Sequence, residues 1–125
     1  MTTYEQEAEQ RWGHTTAFRE SRRRAASYDD DDWARLKDEA GAIEARLAEL
    51  MAAGEPAAGP AATAAAEAHR AHLSTWFYDC STDLHRSLAD LYVEDERFAA
   101  HYDGIAPGLA HYVRAAIHAN AGQRS

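Results

Sequence analysis

The sequence predicts an all-α fold, and three observations carry that expectation. No stretch alternates apolar and polar residues with period two, so nothing reads as a half-buried strand. Between Asp31 and Ala53, Trp33, Leu36, Ala40, Ile43, Leu47 and Leu50 recur at steps of three and four, which lines them along one side of a helix. Residues able to cap free backbone N–H groups precede such segments, and glycine or proline follows them.

Short polar helices are expected after Thr3 and again after Thr15 or Thr16, with Trp12-Gly13-His14 breaking them apart. The helix from Asp31 to Ala53 takes its cap and its dipole-favoured charge from Asp29 to Asp32, and Gly54 stops it. Its apolar seam is only about three heptads long, which favours a partner helix in the same chain over a coiled-coil dimer. Gly54-Glu55-Pro56-Ala57-Ala58-Gly59-Pro60 is a linker, and Pro60 suits the first position of the next helix. That alanine-rich helix is expected from Ala61 to about Cys80, with Ala65, His69, His72 or Leu73, Trp76 and Cys80 on one broad stripe. Ser81 or Thr82 caps a helix that buries Leu84, Leu88, Leu91 and Tyr92, and Asp95 caps another that carries Phe98, His101 and Tyr102 and ends near Gly104. The last helix starts around Pro107 and buries Leu109, Tyr112, Val113, Ala116 and Ile117.

These elements divide the chain into a helical core of about five helices, residues 29–125, and a looser helical segment, residues 1–28. The first segment holds Tyr4, Trp12, Phe18 and Tyr28 but hardly any aliphatic residue. It lacks the apolar area needed to offset an ordering cost of roughly 1 to 2 kcal/mol per residue. Two expectations stay open for it: a lid that orders when a ligand arrives, or helices packed permanently on the core.

The chain's 125 residues suit one domain, and 21 acidic against 13 basic side chains give a formal charge of −8, which repels phosphate backbones. Arg22-Arg23-Arg24 is followed by Asp29 to Asp32, so these charges are expected to neutralise one another on a solvated surface. No apolar run approaches the roughly 20 residues of a membrane span, and no signal peptide is evident. A cytoplasmic protein with a reduced cysteine is expected, without direct nucleic-acid or membrane contact.

Trp76-Phe77-Tyr78-Asp79-Cys80 sets three aromatic residues and the chain's single cysteine side by side. Neighbouring helical positions point about 100° apart, so the three rings cannot all face one core, and surface is left over for a ligand. A single thiol can be buried and inert, ligate a metal or act as a nucleophile. On a continuous helix His72, Trp76 and Cys80 would stack along one face as an aromatic platform beside the thiol, suited to flat heteroaromatic rings. Phe77 reads as core. Tyr78, Tyr102, Trp12 and Tyr28 suit a half-exposed wall with one polar end.

Glu9-Gln10-Arg11-Trp12-Gly13-His14-Thr15, Trp33-Ala34-Arg35-Leu36-Lys37, His69-Arg70-Ala71-His72, Trp76 to Ser81, Tyr92-Val93 and Phe98 to Tyr102 together resemble the TipAS antibiotic-recognition domain across nearly the whole chain. The resemblance implies a globin-like helical fold, a cleft for cyclic thiopeptides, and N-terminal helices that order around the drug. It implies the effector-binding half of a thiostrepton-induced MerR-like transcription activator, or a free-standing antibiotic-sequestering form. It also implies that Cys80 adds covalently to a dehydroalanine of the ligand. The implied function is binding rather than catalysis, without a cofactor, and in a fused regulator the domain would belong to a dimer with a helix-turn-helix. No such motif is read in this chain, and the free-standing and fused forms both remain open.

The candidate ligand-binding residues are therefore Cys80, the attachment point, with Trp76, Tyr78, Asp79 and His72 around it. Tyr102, Trp12, His14 and Tyr28 complete the set. Asp79 would raise the thiol pKa if its charge were near, whereas His85 or the start of the following helix would lower it. Two other readings compete. His69 and His72 at i, i+3 suggest a metal-binding helical-bundle enzyme, but no Glu-x-x-His pair accompanies them, and a helix-surface position is expected for both. The seam from Trp33 to Leu50 would serve a helix-mediated protein interaction module.

Overall fold

The computed structural model describes residues 16–124, which contain six helices and no strand. They are α1 (Thr16–Ala25), α2 (Asp30–Ala52), α3 (Pro60–Trp76), α4 (Thr82–Glu94), α5 (Glu96–Ile105) and α6 (Leu109–Arg124). The five helices expected from Asp31 onward are α2 to α6.

Local chemistry accounts for most boundaries. The Asp29 carboxylate accepts from the Asp32 amide at 2.8 Å and the Asp32 carboxylate from the Asp29 amide at 3.2 Å, a reciprocal cap at the start of α2. At its end Gly54 takes φ +76°, and the amides of Gly54 and Glu55 close onto the carbonyls of Met51 and Leu50, each at 3.0 Å. This left-handed closure satisfies carbonyls that have no partner within the helix. Pro60 opens α3, Ser81 caps α4 through the Leu84 amide at 3.1 Å, and Asp95 caps α5 through the Arg97 amide at 2.9 Å. The last helix begins at Leu109 rather than around Pro107, because Gly108 sits at φ +87° and turns the chain first.

Helix α6 is the centre of the packing. Its Leu109, Val113, Ala116 and Ile117 are buried against α4 most extensively, and α6 also meets α3, α5 and α2. Ala62 and Ala66 of α3, Ala89 of α4 and Ala116 of α6 are fully buried, and such small side chains let helices approach closely. The α2 seam is used inside the chain: Leu36, Leu47 and Leu50 are buried and α2 packs on α3 and α6. This covers the face that a partner helix would need. No described helix is long and apolar enough to cross a membrane.

Candidate functional site

Helix α3 ends at Trp76, not near Cys80. The amides of Phe77 and Tyr78 both return to the Leu73 carbonyl, at 2.9 and 3.1 Å, and this closes the last turn. The Cys80 amide then donates to Ser74 Oγ at 3.0 Å, and Arg70 Nη1 donates to the Cys80 carbonyl at 2.8 Å. These side-chain partners from α3 draw the segment back across the helix end. His72, Trp76 and Cys80 therefore do not form the continuous helical stripe that their spacing suggested.

The sulfur is not an open nucleophile in this structure. Cys80 is 2 % exposed, and its Sγ points toward the Ser81 carbonyl at 3.7 Å. Burial, opposed by Arg70 and reinforced by Glu67, pushes the thiol up to about 11. At pH 7 that leaves roughly one thiolate in ten thousand. Asp79 is not what raises it, since its fully exposed side chain reaches Arg24 Nη2 at 3.3 Å. His85 does not lower it either, because burial, with the charge of Arg70, keeps that imidazole well below its usual range and neutral.

The indole lies in a separate cluster. Trp76 is buried, and its Nε1–H donates to Glu39 Oε1 at 2.9 Å. His72, also buried, places Nδ1 3.1 Å from the same oxygen. A carboxylate only accepts, so the His72 proton sits on Nδ1. These two contacts, the indole first, hold the Glu39 carboxyl below its usual range. Tyr28 stands edge-on to Trp76 at 5.3 Å and to Trp33 at 5.5 Å, and its hydroxyl donates to the Trp76 carbonyl. The Arg35 guanidinium lies 5.5 Å from the Trp76 ring centre, a cation–π arrangement. The indole is not an open platform beside the thiol in this structure, since Tyr28 and Arg35 pack against it. Arg24 fastens α1 beside it through the Ser74 carbonyl at 2.7 Å.

The structure joins Tyr28, Trp76 and His72 in this cluster. Tyr78 is half-buried beside Phe77, and burial raises its phenol above the usual range. Tyr102 is not a half-exposed wall: it is buried against Tyr92 and His101, at 5.2 Å from each ring. Trp12 and His14 lie outside the described residues. Sequence reasoning missed Glu39 and Arg35 as neighbours of Trp76, and Trp33 as a neighbour of Tyr28. Arg35 and Glu39 are one helical turn apart, but charged residues on a polar helix face look alike until a partner is known.

The histidines also depart from their expected surface. His69 and His85 are buried and meet at 2.8 Å between Nδ1 and Nε2, with rings stacked at 5.0 Å. Burial first, then the neighbouring imidazoles, depresses His69 well below its usual range, so the pair is neutral. His69 and His72 thus engage different partners. Among the described residues no group of three or more His, Cys, Asp or Glu side chains is placed to hold a metal ion.

Comparison with known proteins places this geometry in a family. Residues 4–120 match the family described as the TipAS antibiotic-recognition domain. The HTH-type transcriptional activator TipA of Streptomyces coelicolor is 48 % identical over 118 residues, covering 94 % of this chain and 47 % of the relative. The HTH-type transcriptional activator mta of Bacillus subtilis is 35 % identical over 115 residues, 92 % of this chain and 44 % of its own. The chain thus spans about half the length of the curated relatives it matches. Among solved structures, Streptomyces lividans TipAS in complex with nosiheptide, from a thiopeptide antibiotic multidrug resistance system, superposes with a TM-score of 0.91 at 46 % identity, covering 98 % of this chain and 85 % of that one. The antibiotic-binding domain of a TipA-class multidrug resistance transcriptional regulator gives a TM-score of 0.69 at 45 % identity, covering 74 % of this chain and 99 % of that one. The chain belongs to the TipAS antibiotic-recognition domain family.

Proposed function

We propose that this chain is an antibiotic-binding module rather than an enzyme, and that it takes up hydrophobic, heteroaromatic macrocyclic peptides of the thiopeptide kind in the cytoplasm. The observation that carries the reading is the close likeness to TipAS holding nosiheptide, together with an aromatic cluster of Tyr28, Trp33 and Trp76 at the junction of α1, α2 and α3. Thiazole and oxazole rings would stack on the indole once Tyr28 and Arg35 move aside, each ring pair contributing about 0.5 to 1.5 kcal/mol beyond area burial. Residues 1–28 would act as a lid, since Arg24 and Tyr28 hold its described part to the core by polar contacts at the edge of this cluster. Trp12 and His14 would join the ligand from that lid, and Tyr78 and Asp79 from the segment after α3.

Ligands bearing dehydroalanine would be captured through Cys80. The thiol loses its proton and the sulfur forms a bond to the β-carbon. The alkene π pair moves to the α-carbon, which takes a proton. Net, S–H adds across C=C and no oxidant is needed. Because Cys80 is buried, segment 77–81 must open for this step, and the ligand's own binding energy would drive the opening. In a fused form the module would bias a dimeric helix-turn-helix activator, which would be the part that contacts DNA.

Calorimetry and intact-mass measurement with a dehydroalanine-bearing thiopeptide test both halves. Cys80→Ala is expected to lose the mass adduct and keep reversible binding. Wild type forming no complex would overturn the binding assignment, and an equal adduct on Cys80→Ala would overturn the attachment point.

A further inference from the structure

The Cys80 peptide is gripped at both ends by side chains of α3. Ser74 Oγ accepts its N–H at 3.0 Å, and Arg70 Nη1 donates to its carbonyl at 2.8 Å. The other edge of Arg70 is already committed: Nε and Nη2 donate to the two oxygens of Glu67 at 2.9 and 2.5 Å. Glu67 is fixed in turn from α6. Its Oε1 accepts from the buried Asn120 Nδ2 at 2.9 Å, and Arg124 Nε, which donates to Asn120 Oδ1 at 2.8 Å, lies 3.1 Å from the same Glu67 oxygen. A guanidinium fork satisfied by a carboxylate keeps little freedom. The cysteine carbonyl is therefore tied, through Arg70 and Glu67, to the best-packed helix of the molecule.

We propose that Arg70 is the positioning residue of the covalent site: clamped by Glu67, it holds the Cys80 peptide so that the sulfur stays turned into the core until a bound ligand opens segment 77–81, and it then presents that sulfur to the alkene. The proposal rests on Cys80 being the attachment point. A second feature lies at the same helix start. Ser81 is the cap of α4, so Cys80 and His85 stand at the two positions that pack together across a helix start, and His85 Nδ1 is fully buried with no hydrogen-bond partner. The other nitrogen of that ring meets His69 Nδ1 at 2.8 Å. The charged or titratable groups that act on the sulfur are Arg70, Glu67, Tyr78 and Tyr92.

The clamp has a signature that plain destabilisation lacks. In Arg70→Ala the released peptide frees the sulfur, so alkylation by iodoacetamide is expected to speed up roughly tenfold or more. The first-order rate of adduct formation at saturating thiopeptide is expected to fall by about tenfold or more, because the sulfur is no longer aimed. Arg70→Lys should recover part of both changes. Glu67→Gln leaves the arginine in place but loosens it, and should move both rates the same way by less; it carries the test if Arg70→Ala does not fold. Intact-mass time courses on the full chain read both rates, with a thermal melt to verify folding. Rates within about twofold of wild type in the folded variants, or both rates rising together, would overturn the clamp. A wild type that forms no thiopeptide adduct overturns the attachment point instead, and the iodoacetamide arm then decides by itself whether Arg70 holds the segment.

Discussion

Helices α1 and α6 both pack on α3, but with different chemistry. From α6 come Leu109, Val113, Ala116 and Ile117, all buried and apolar. From α1 and the turn after it come Arg24 and Tyr28, which reach the carbonyls of Ser74 and Trp76 in the last turn of α3. Those carbonyls have no partner within their own helix, so any suitable donor can take them, water included. Fully burying one aliphatic side chain contributes about 1.5 to 3 kcal/mol, whereas a net hydrogen bond such as that of the Tyr28 hydroxyl contributes about 0.5 to 1.5 kcal/mol. The difference teaches that α1 can leave α3 without the core noticing, and that α6 cannot.

The comparison breaks most visibly at Ile117, which is fully buried in α6. Ile117→Ala is expected to lower global stability by about 2 to 5 kcal/mol, read from the midpoint of a urea melt. A loss much below this would mean that α6 is not the keystone. Acid offers a second lever on the same side. His69 of α3 and His85 of α4 are held neutral with folded values depressed below the ordinary 6.5. A depressed imidazole contributes stability that is fully present above 6.5 and is lost as pH falls toward the folded value, since the unfolded chain then binds more protons. Glu67, held down to about 2, adds the same sign of dependence below its ordinary 4.5. The melting temperature should therefore fall steadily from pH 6.5 downward, and His69→Phe should flatten the first part of that fall. A melt independent of pH between 6.5 and 5 would contradict the buried pair.

The smallest effect belongs to α1. Tyr28→Ala removes the hydroxyl bond to Trp76 and the two edge-on ring contacts, and is expected to cost about 1 to 2 kcal/mol locally. Amide exchange should accelerate in α1 and leave α4 and α6 unchanged. Acceleration spreading evenly through the molecule would show that the two sides are one cooperative unit.

Much of the fold could be read from local chemistry. Asp29, Ser81 and Asp95 cap where they were expected to, Pro60 opens α3 and Gly54 closes α2, because capping depends on side chains within three or four residues of one another. The end of α3 was not legible in this way. Its termination depends on Arg70 and Ser74 capturing the Cys80 peptide, and that competes with continued helix only in three dimensions. The burial of His69 and His72 was hidden for a related reason. A helix so rich in alanine lets neighbours close on more than one side, so polar residues expected at the surface find partners inside, His69 on His85 and His72 on Glu39. Trp76 and Tyr28 stood out as candidates by residue type, but the carboxylate that orients the indole did not, since Glu39 is one of several acidic residues on α2.

The shared oxygen of Glu39 makes the domain its own optical reporter. An indole whose N–H is bound to a carboxylate, with a tyrosine at its edge and a guanidinium over its face, emits according to those neighbours. A guest that displaces Tyr28 or Arg35, or draws Glu39 away, must change that emission. Occupancy could then be followed in unlabelled protein by tryptophan fluorescence, before any covalent bond forms.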